Sequence, residues 1–524
     1  MRSTFSGFFV ARDGMNAARS SLEITGQNIT NVNTKGYSRQ RVDTYSRSAG
    51  LNSMRYAQGI MTNIGEGVTI GSISQLRDPY LDVRYRAENA EFGSTETELS
   101  VLNNLGYIFD NAVTDDFGER FSDLVTQLQT LAEDSTDSVS ENIVKTSASL
   151  LVQMFNEYSS RVDNAMEQAV DSLQNGTVKK MNQCLGSIAQ LNQAIKSAHV
   201  SGNPALELMD ARNILLDELS GYANVEVVTK QVDVGAGITV EELSVNLIVA
   251  NGDKFKLVDN DKAASIECYT TDSSAKLVLV GFDGKPMETS LGGSVTLVDG
   301  DITEQLATGE LQAYLKMINS RGEFDTPPST QRGIGYYRDM LDTLANQFAT
   351  MMNEANSTDT KDKPLFSSNV DGEKISASNI VISKEWQESN ESYITSTKKE
   401  LAPGVDNKDD NSNILYMISL FDQQMQFKNN AGTTVFTGTL QDCVSNIKTT
   451  LGLQISDVTR RNKTNGGNIA SINAERQSVS GVSLDEEGIN LIMYNQALSA
   501  SSRFMTTLDE AVDTIINRMG VVGR

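Results

Sequence analysis

Both ends of the chain carry a narrow apolar stripe that a helix can bury only against a partner. Steps of alternately three and four residues pick out Phe8, Ala11, Met15, Ala18, Leu22, Thr25, Ile29 and Val32 at one end, the a/d seam of a coiled coil with one polar member. At the other end Leu491, Tyr494, Leu498, Ser501, Met505, Leu508, Val512, Ile515 and Met519 repeat the alternation, one heptad after Leu484. Ser483 is placed to cap that helix, Glu486 to complete a capping box and Gly520 to stop it. The two stripes bury each other or bury against neighbouring subunits, and in both cases the termini come together. Neither has a guaranteed partner in its own chain, and short isolated helices are marginal in water, so the isolated monomer is expected to have disordered ends.

Between the ends the period changes twice. NITNVNTKGYSRQ brings Asn28, Asn31 and Asn33, which cap or turn the chain, and Gly36, which takes a positive φ. GEGVTIGSI alternates Val68, Ile70 and Ser72 as a short strand. Helical spacing holds from about Thr95 to Tyr222, through Phe117, Phe121, Leu124, Leu128 and Leu131, then Met181, Cys184, Ile188, Leu191, Ile195 and Ala198. From about Ala223 to Val298 alternation replaces it, with Val225 and Val227, Ile238 and Val240, then Leu243, Val245, Leu247 and Val249. Helical spacing returns after Pro327-Pro328 at Ile334, Tyr337, Leu341, Leu344, Phe348 and Met351. A stretch rich in Ser, Asn, Asp and Lys follows, with one helix at SNILYMISLFDQQ; the last helical stretch begins near Leu440 and is expected to break at Gly466-Gly467.

These periods predict a mainly α chain, with long helices, coiled-coil-like terminal helices, a helical bundle and an inserted β domain: an elongated multidomain α+β protein. Residues 1–60 with 484–524 form the terminal coiled-coil domain; 61–224 with 310–358 and 440–483 form a helical rod. Residues 225–309 are the β insertion, and 359–439 are a loop-rich segment that makes at most a further small domain.

Composition narrows what such a chain does. Lys and Arg total 44 against 68 Asp and Glu, a net charge of −24 that repels nucleic-acid phosphates and anionic lipid. No run of about 18 apolar residues is present, and Arg12 and Asp13 end the first apolar patch before a signal-peptide core forms. One His, His199, and three Cys, Cys184, Cys268 and Cys443, leave little for imidazole catalysis, a metal site or a disulfide framework. GEGVTIG and GAGITV lack the glycines and following helix of a phosphate cradle. DNKDDN at Asp406 to Asn411 puts Lys408 where a calcium loop needs an oxygen ligand. Cys184 sits on an apolar seam, and no G-x-S-x-G elbow occurs. No catalytic, cofactor or metal constellation emerges.

Charge placement is more informative. Residues 1–60 hold Arg2, Arg12, Arg19, Lys35, Arg39, Arg41, Arg47 and Arg55 against Asp13, Glu23 and Asp43, whereas 481–524 hold Asp485, Glu486, Glu487, Asp509, Glu510 and Asp513 against Arg503, Arg518 and Arg524. Opposite signs on helices with matching seams favour pairing.

Asn28, Asn31, Asn33, Thr34, Gly36 and Tyr37, extended by Ser38-Arg39-Gln40, resemble the N-terminal signature of the axial proteins of the bacterial flagellum, the rod, hook and hook-associated family. The extension, with Arg39 in the motif, is similar to the hook-associated members at the hook-filament junction; family members usually carry Pro where Lys35 stands. GEGVTIGSISQLRDPYLDVRYR, LELMDARNILLDELS and the C-terminal SGVSLDEEGINLIMYNQALSASSRFMTTLDEAVDTIINRMG look like further blocks of the family. The resemblance implies a structural, non-enzymatic subunit that leaves the cell by the flagellar type III pathway without a cleaved signal and forms a ring between hook and filament, outside the cell. Its implied partners are the hook protein, the second junction protein (hook-associated protein 3), further copies of itself and a FlgN-like export chaperone; nucleic acid and membrane are not among them. Phe8, Ala11, Met15, Ala18, Leu22, Ile29 and Val32 are then the N-terminal subunit interface. Leu491, Tyr494, Leu498, Met505, Leu508, Val512 and Ile515 are the C-terminal one and the chaperone site. Two alternatives stand beside this: another axial protein of hook or rod type, against which the long helical middle argues, or an exported enzyme or adhesin carried on flagellar termini.

Overall fold

The computed structural model describes residues 5–47, 67–110, 117–233, 235, 239–271, 274–291, 296–358, 361–389, 392–398, 410–429 and 431–518. Gly65, Ile238, most of the DNKDDN run, Met519 and Gly520 lie outside them.

The chain opens with α1 (Ser6–Thr30) and an antiparallel pair, β1 (Gln40–Ser46) and β2 (Val68–Gln75), with Gln40 opposite Gln75. The helical body follows as α2 (Pro79–Asp110), α3 (Phe117–Glu133), α4 (Ser138–Asp171), a π-helical stretch at Ser172–Val178, α5 (Lys179–Val200) and α6 (Leu206–Tyr222). α2 starts well before the Thr95 expected from spacing, because Pro79 suits a first helical position and the stripe of Leu81, Ala90 and later buried residues is interrupted by the polar Arg86 and Thr95. Asp137 caps α4 by accepting from the amides of Val139 and Ser140. The α3 and α5 residues stepping by three and four supply the core, with Phe121, Leu128, Met181 and Ile188 all buried.

The insertion is β as expected. β3 (Val225–Asp233), β4 (Thr239–Ile248), β5 (Lys254–Asp259) and β6 (Lys262–Ala263) form one antiparallel sheet in that order, and β7 (Ser265–Thr271) pairs with β8 (Ser274–Val280). The chain re-enters the body at α7 (Glu310–Asn319), ahead of Pro327-Pro328, and continues as α8 (Ile334–Asn356).

The segment after α8 differs from a weakly structured loop. It holds β9 (Phe366–Ser368), β10 (Ile380–Ile382), α9 (Lys384–Glu388), α10 (Ser412–Leu420), β11 (Met425–Lys428) and β12 (Thr434–Gly438), and its Phe366, Trp386, Ile414 and Phe427 belong to the main core. Side chains of the body satisfy its irregular backbone. The Glu141 carboxylate accepts from Trp386 Nε1 (3.2 Å) and the amides of Tyr393 (2.9 Å) and Ile394 (3.3 Å). Asn353 accepts from the Leu365 and Phe366 amides at 2.7 and 2.8 Å, and Asn356 from that of Thr395 at 2.7 Å.

α11 (Leu440–Ser480) starts at a capping box of Thr439 and Asp442 and runs unbroken through Gly466-Gly467, against the expected break. Side-chain contacts to the antiparallel α2 hold the glycines in the helix: Phe92 lies over Gly466, with hydrogen-bonded pairs on either side. α12 (Leu484–Asp513) returns alongside α1, followed by a π-helical turn at Thr514–Arg518. The main apolar core runs from Val101 to Val458 and includes the β insertion, but no residue of α1 or α12.

Candidate functional site

The two terminal stripes meet each other. A Cβ on Gly7 would stand 2.9 Å from Leu508, one on Gly14 would stand 3.1 Å from Ser501 Oγ, and Asn28 reaches Glu487. Each step of seven along α1 is matched by a step of seven back along α12, so the pair is antiparallel in coiled-coil register. Ala11, Ala18 and Thr25 are buried, Phe8, Met15, Leu22, Ile29 and Val32 half-buried, and on α12 Tyr494, Leu498, Ser501, Met505, Leu508 and Val512 are half-buried. Val32 lies beyond the helix end at Thr30. Leu491 and Ile515 stay 40 % and 49 % exposed: Asn490 takes the stripe next to Glu487, and the register carries Ile515 past the start of α1. α1 has a second buried face that the stripe does not reveal, Ala17, Ser21, Ile24 and Asn28, which faces the β1/β2 side.

Below the pair, four separated chain segments converge on a joint with the body. Asn28, 1 % exposed, is its centre. Its Oδ1 accepts from Tyr37 OH (2.9 Å) and the Gln40 amide (3.0 Å), while Nδ2 donates to the Gln40 carbonyl (2.9 Å) and Glu487 (3.3 Å). Asn31 closes the helix end by donating to the Gln27 carbonyl and accepting from Thr34 Oγ1; Asn33 is exposed. Gly36 has φ +77°, and a Cβ there would stand 2.4 Å from Ile214, so both backbone and space require glycine. Arg39 bridges the C-terminal helix, Nε to Glu487 at 2.7 Å and Nη1 to Glu486 at 2.6 Å. Glu486 therefore does not close the capping box, although its amide still donates to Ser483 Oγ. Among the described N-terminal cations Arg39 alone pairs with α12; Arg12 and Arg47 pair with Asp13, Arg19 with Glu23 and Arg41 with Asp43. The opposite net charges thus meet at one bridge and not along the seam.

Next to Arg39, the Ser38 amide and hydroxyl both donate to Asp210 on α6, at 3.1 and 2.7 Å. Arg77 stands 3.0 Å from Asp82 and 3.7 Å from Asp210; Arg476 of α11 joins Asp82 (2.9 Å) to Asp217 (2.7 Å), which also receives Arg86 at 3.0 Å. The network beside a cleft of about 950 Å³ therefore locks α2, α6 and α11 to one another and to the chain leaving α1. Burial raises the pKa of Asp210, against the opposing Ser38 hydrogen bonds and Arg77 charge, and burial with Asp210, Glu207 and Glu487 pushes the Tyr37 phenol up to about 12. The Tyr37 phenol therefore keeps its proton near neutral pH and stays a donor to Asn28.

The remaining candidates fall elsewhere. His199 ends α5 with Nε2 3.2 Å from the Pro204 carbonyl; Cys184 and Cys443 are buried, Cys268 is half-buried, and all three are free. Among the described residues no group of three or more His, Cys, Asp or Glu is placed to hold a metal, and no helix is long and apolar enough to cross a membrane.

Comparison with known proteins adds to this geometry. Residues 102–364 match the family described as the flagellar hook-associated protein FlgK helical domain, 475–519 the flagellar basal body rod FlgEFG protein C-terminal family and 9–37 the flagella basal body rod protein family. Flagellar hook-associated protein 1 of Bacillus subtilis (strain 168) is 26 % identical over 539 residues, covering 100 % of both chains. The protein of that name from Escherichia coli (strain K12) is 23 % identical over 577 residues, covering 97 % of this chain and 98 % of its own. The solved flagellar hook junction protein FlgK from Burkholderia pseudomallei shares the fold, with a TM-score of 0.55 at 14 % identity over 76 % of this chain and 100 % of its own.

Proposed function

The chain belongs to the FlgK family of flagellar hook-associated proteins, and from that premise we propose that it is a structural subunit of the bacterial flagellum, joining hook to filament at their junction. Its work is positional and not chemical. The observation that carries the reading is α12, which buries one side chain, Glu487, within its own chain and leaves Ile489, Ile492, Met493 and Phe504 on the surface. An apolar helix face of that length is covered by protein in an assembly. Copies side by side in a ring cover it, with the seam residues Phe8 to Val32 and Tyr494 to Val512 holding each terminal pair together and Leu491 and Ile515 turned to the neighbour. The hook protein and the second junction protein (hook-associated protein 3) occupy the two ends of that ring. Before export through the type III pathway, the same exposed face needs a cover, which the chaperone supplies at α12.

Leu508→Asp tests the reading. A carboxylate facing Gly7 must be desolvated or must part the helices, so cells carrying the variant should build hooks, shed flagellin into the medium and still contain a folded body. Normal motility with this substitution overturns the role given to the seam.

A further inference from the structure

One stretch of α11 is built unlike the rest of the helix. Leu440, Cys443, Val444, Ile447, Leu451 and Val458 lock its first half into the core, but between Val458 and Ile472 none of its side chains is buried. Apart from Phe92, the contacts to α2 there are polar: Arg461, half in solvent, reaches the buried Glu98 at 3.2 Å, Thr95 Oγ1 donates to Asn462 at 3.1 Å, Asn465 donates to the Glu91 carbonyl at 3.3 Å, and Asn468 donates to Glu88 at 2.6 Å. Beyond it, Arg476 holds the end of the helix between Asp82 and Asp217. Gly466 has a packing reason, since a Cβ would stand 3.3 Å from the Phe92 ring; Gly467 has none, because a Cβ there meets nothing within 4 Å. An open glycine in mid-helix weakens the helix without gaining a contact.

We propose that residues 460–470 are a bend point built into the rod, where α11 bows away from α2 at Gly466-Gly467 while both flanks stay locked. Side-chain amides and hydroxyls exchange their partners for water readily, and Glu98 keeps Lys316 at 3.2 Å when Arg461 leaves it, so opening exposes little apolar surface beyond Phe92 and draws on the low-stability end of the fold. Since α11 leads through residues 481–483 into α12, the bow gives the rod compliance without opening either the main core or the joint.

Hydrogen exchange on the full chain tests this, with Gly452→Ala as the control, because Gly452 is equally open but lies in the apolar half of the same helix. In the unaltered chain, amides 460–470 should exchange at least about tenfold faster than 443–458. Gly467→Ala should slow that stretch by about two- to fivefold, and Gly452→Ala should leave it unchanged. Uniform protection along α11, or an equal effect of both substitutions on 460–470, overturns the proposal.

Discussion

Asp217 ties three helices together, and replacing it with Ala tests whether the joint stands on that tie. The change leaves Arg86 and Arg476, whose side chains are 8 % and 13 % exposed, facing each other without their common carboxylate. Each charge-assisted bond of this kind contributes about 1.5–3 kcal/mol, and breaking a buried pair costs about 3–5 kcal/mol. Arg476 keeps Asp82 at 2.9 Å and Arg86 keeps Asn213 at 3.4 Å, so the lower figure, about 3 kcal/mol, applies. At about 1.36 kcal/mol per factor of ten, local opening should become roughly 100-fold more frequent. Hydrogen exchange should register this in residues 79–93, 206–222 and 470–480, while the α8 amides around the fully buried Phe348 keep their protection. Asp217→Asn should fall between, since one oxygen still accepts from one guanidinium. A change below about threefold for Asp217→Ala would refute the idea that this carboxylate holds the joint.

Gly36→Ala forces a left-handed alanine, about 1–2 kcal/mol, against Ile214; exchange at residues 31–40 should accelerate, and Ile214→Ala should recover part of the loss. Glu141→Gln leaves fewer acceptors for Trp386, Tyr393 and Ile394; since Trp386 is the single tryptophan, its emission should shift to the red, and an unshifted spectrum would show that Glu141 does not hold that segment. Burial raises the Asp342 carboxyl to about 6, so the folded state holds its proton more tightly than the unfolded chain. Its contribution to stability is then full below the ordinary carboxylate range and lost as pH rises through about 6. Asp342→Asn should raise the melting temperature at pH 7.5, raise it by about half as much at pH 5 and lose the advantage below the ordinary carboxylate range; the same gain at every pH would exclude this titration. Removal of residues 484–524 should end chaperone binding in calorimetry, and removal of 1–40 should not; affinity retained without 484–524 would place the chaperone elsewhere.

The terminal seam was legible because a three-and-four alternation survives in any antiparallel pair: Tyr494 to Val512 face α1 as their spacing implies. What spacing could not show was the second face of α1, where Ser21 and Asn28 are buried as polar residues. The β insertion was legible from its alternation. The segment after α8 was not, because its order comes from side chains distant in sequence: Glu141 and Trp386 are 245 residues apart. Asn28, Gly36, Tyr37 and Arg39 stood out as a motif, but their partners Glu487 and Ile214 carry no local signal. Asp210, Asp217, Arg77 and Arg86 fell inside recognisable blocks without a role, since ion pairs such as Arg86 with Asp217 span 131 residues. The expected break at Gly466-Gly467 followed from helix propensity alone, which packing against α2 overrides.

Immunogold electron microscopy of isolated flagella, with an antibody against this chain, tests the central claim most directly. A subunit of the hook-filament junction should place gold in one narrow band where the curved hook meets the filament. Gold spread along the filament or the hook, or flagella without gold, would contradict the account.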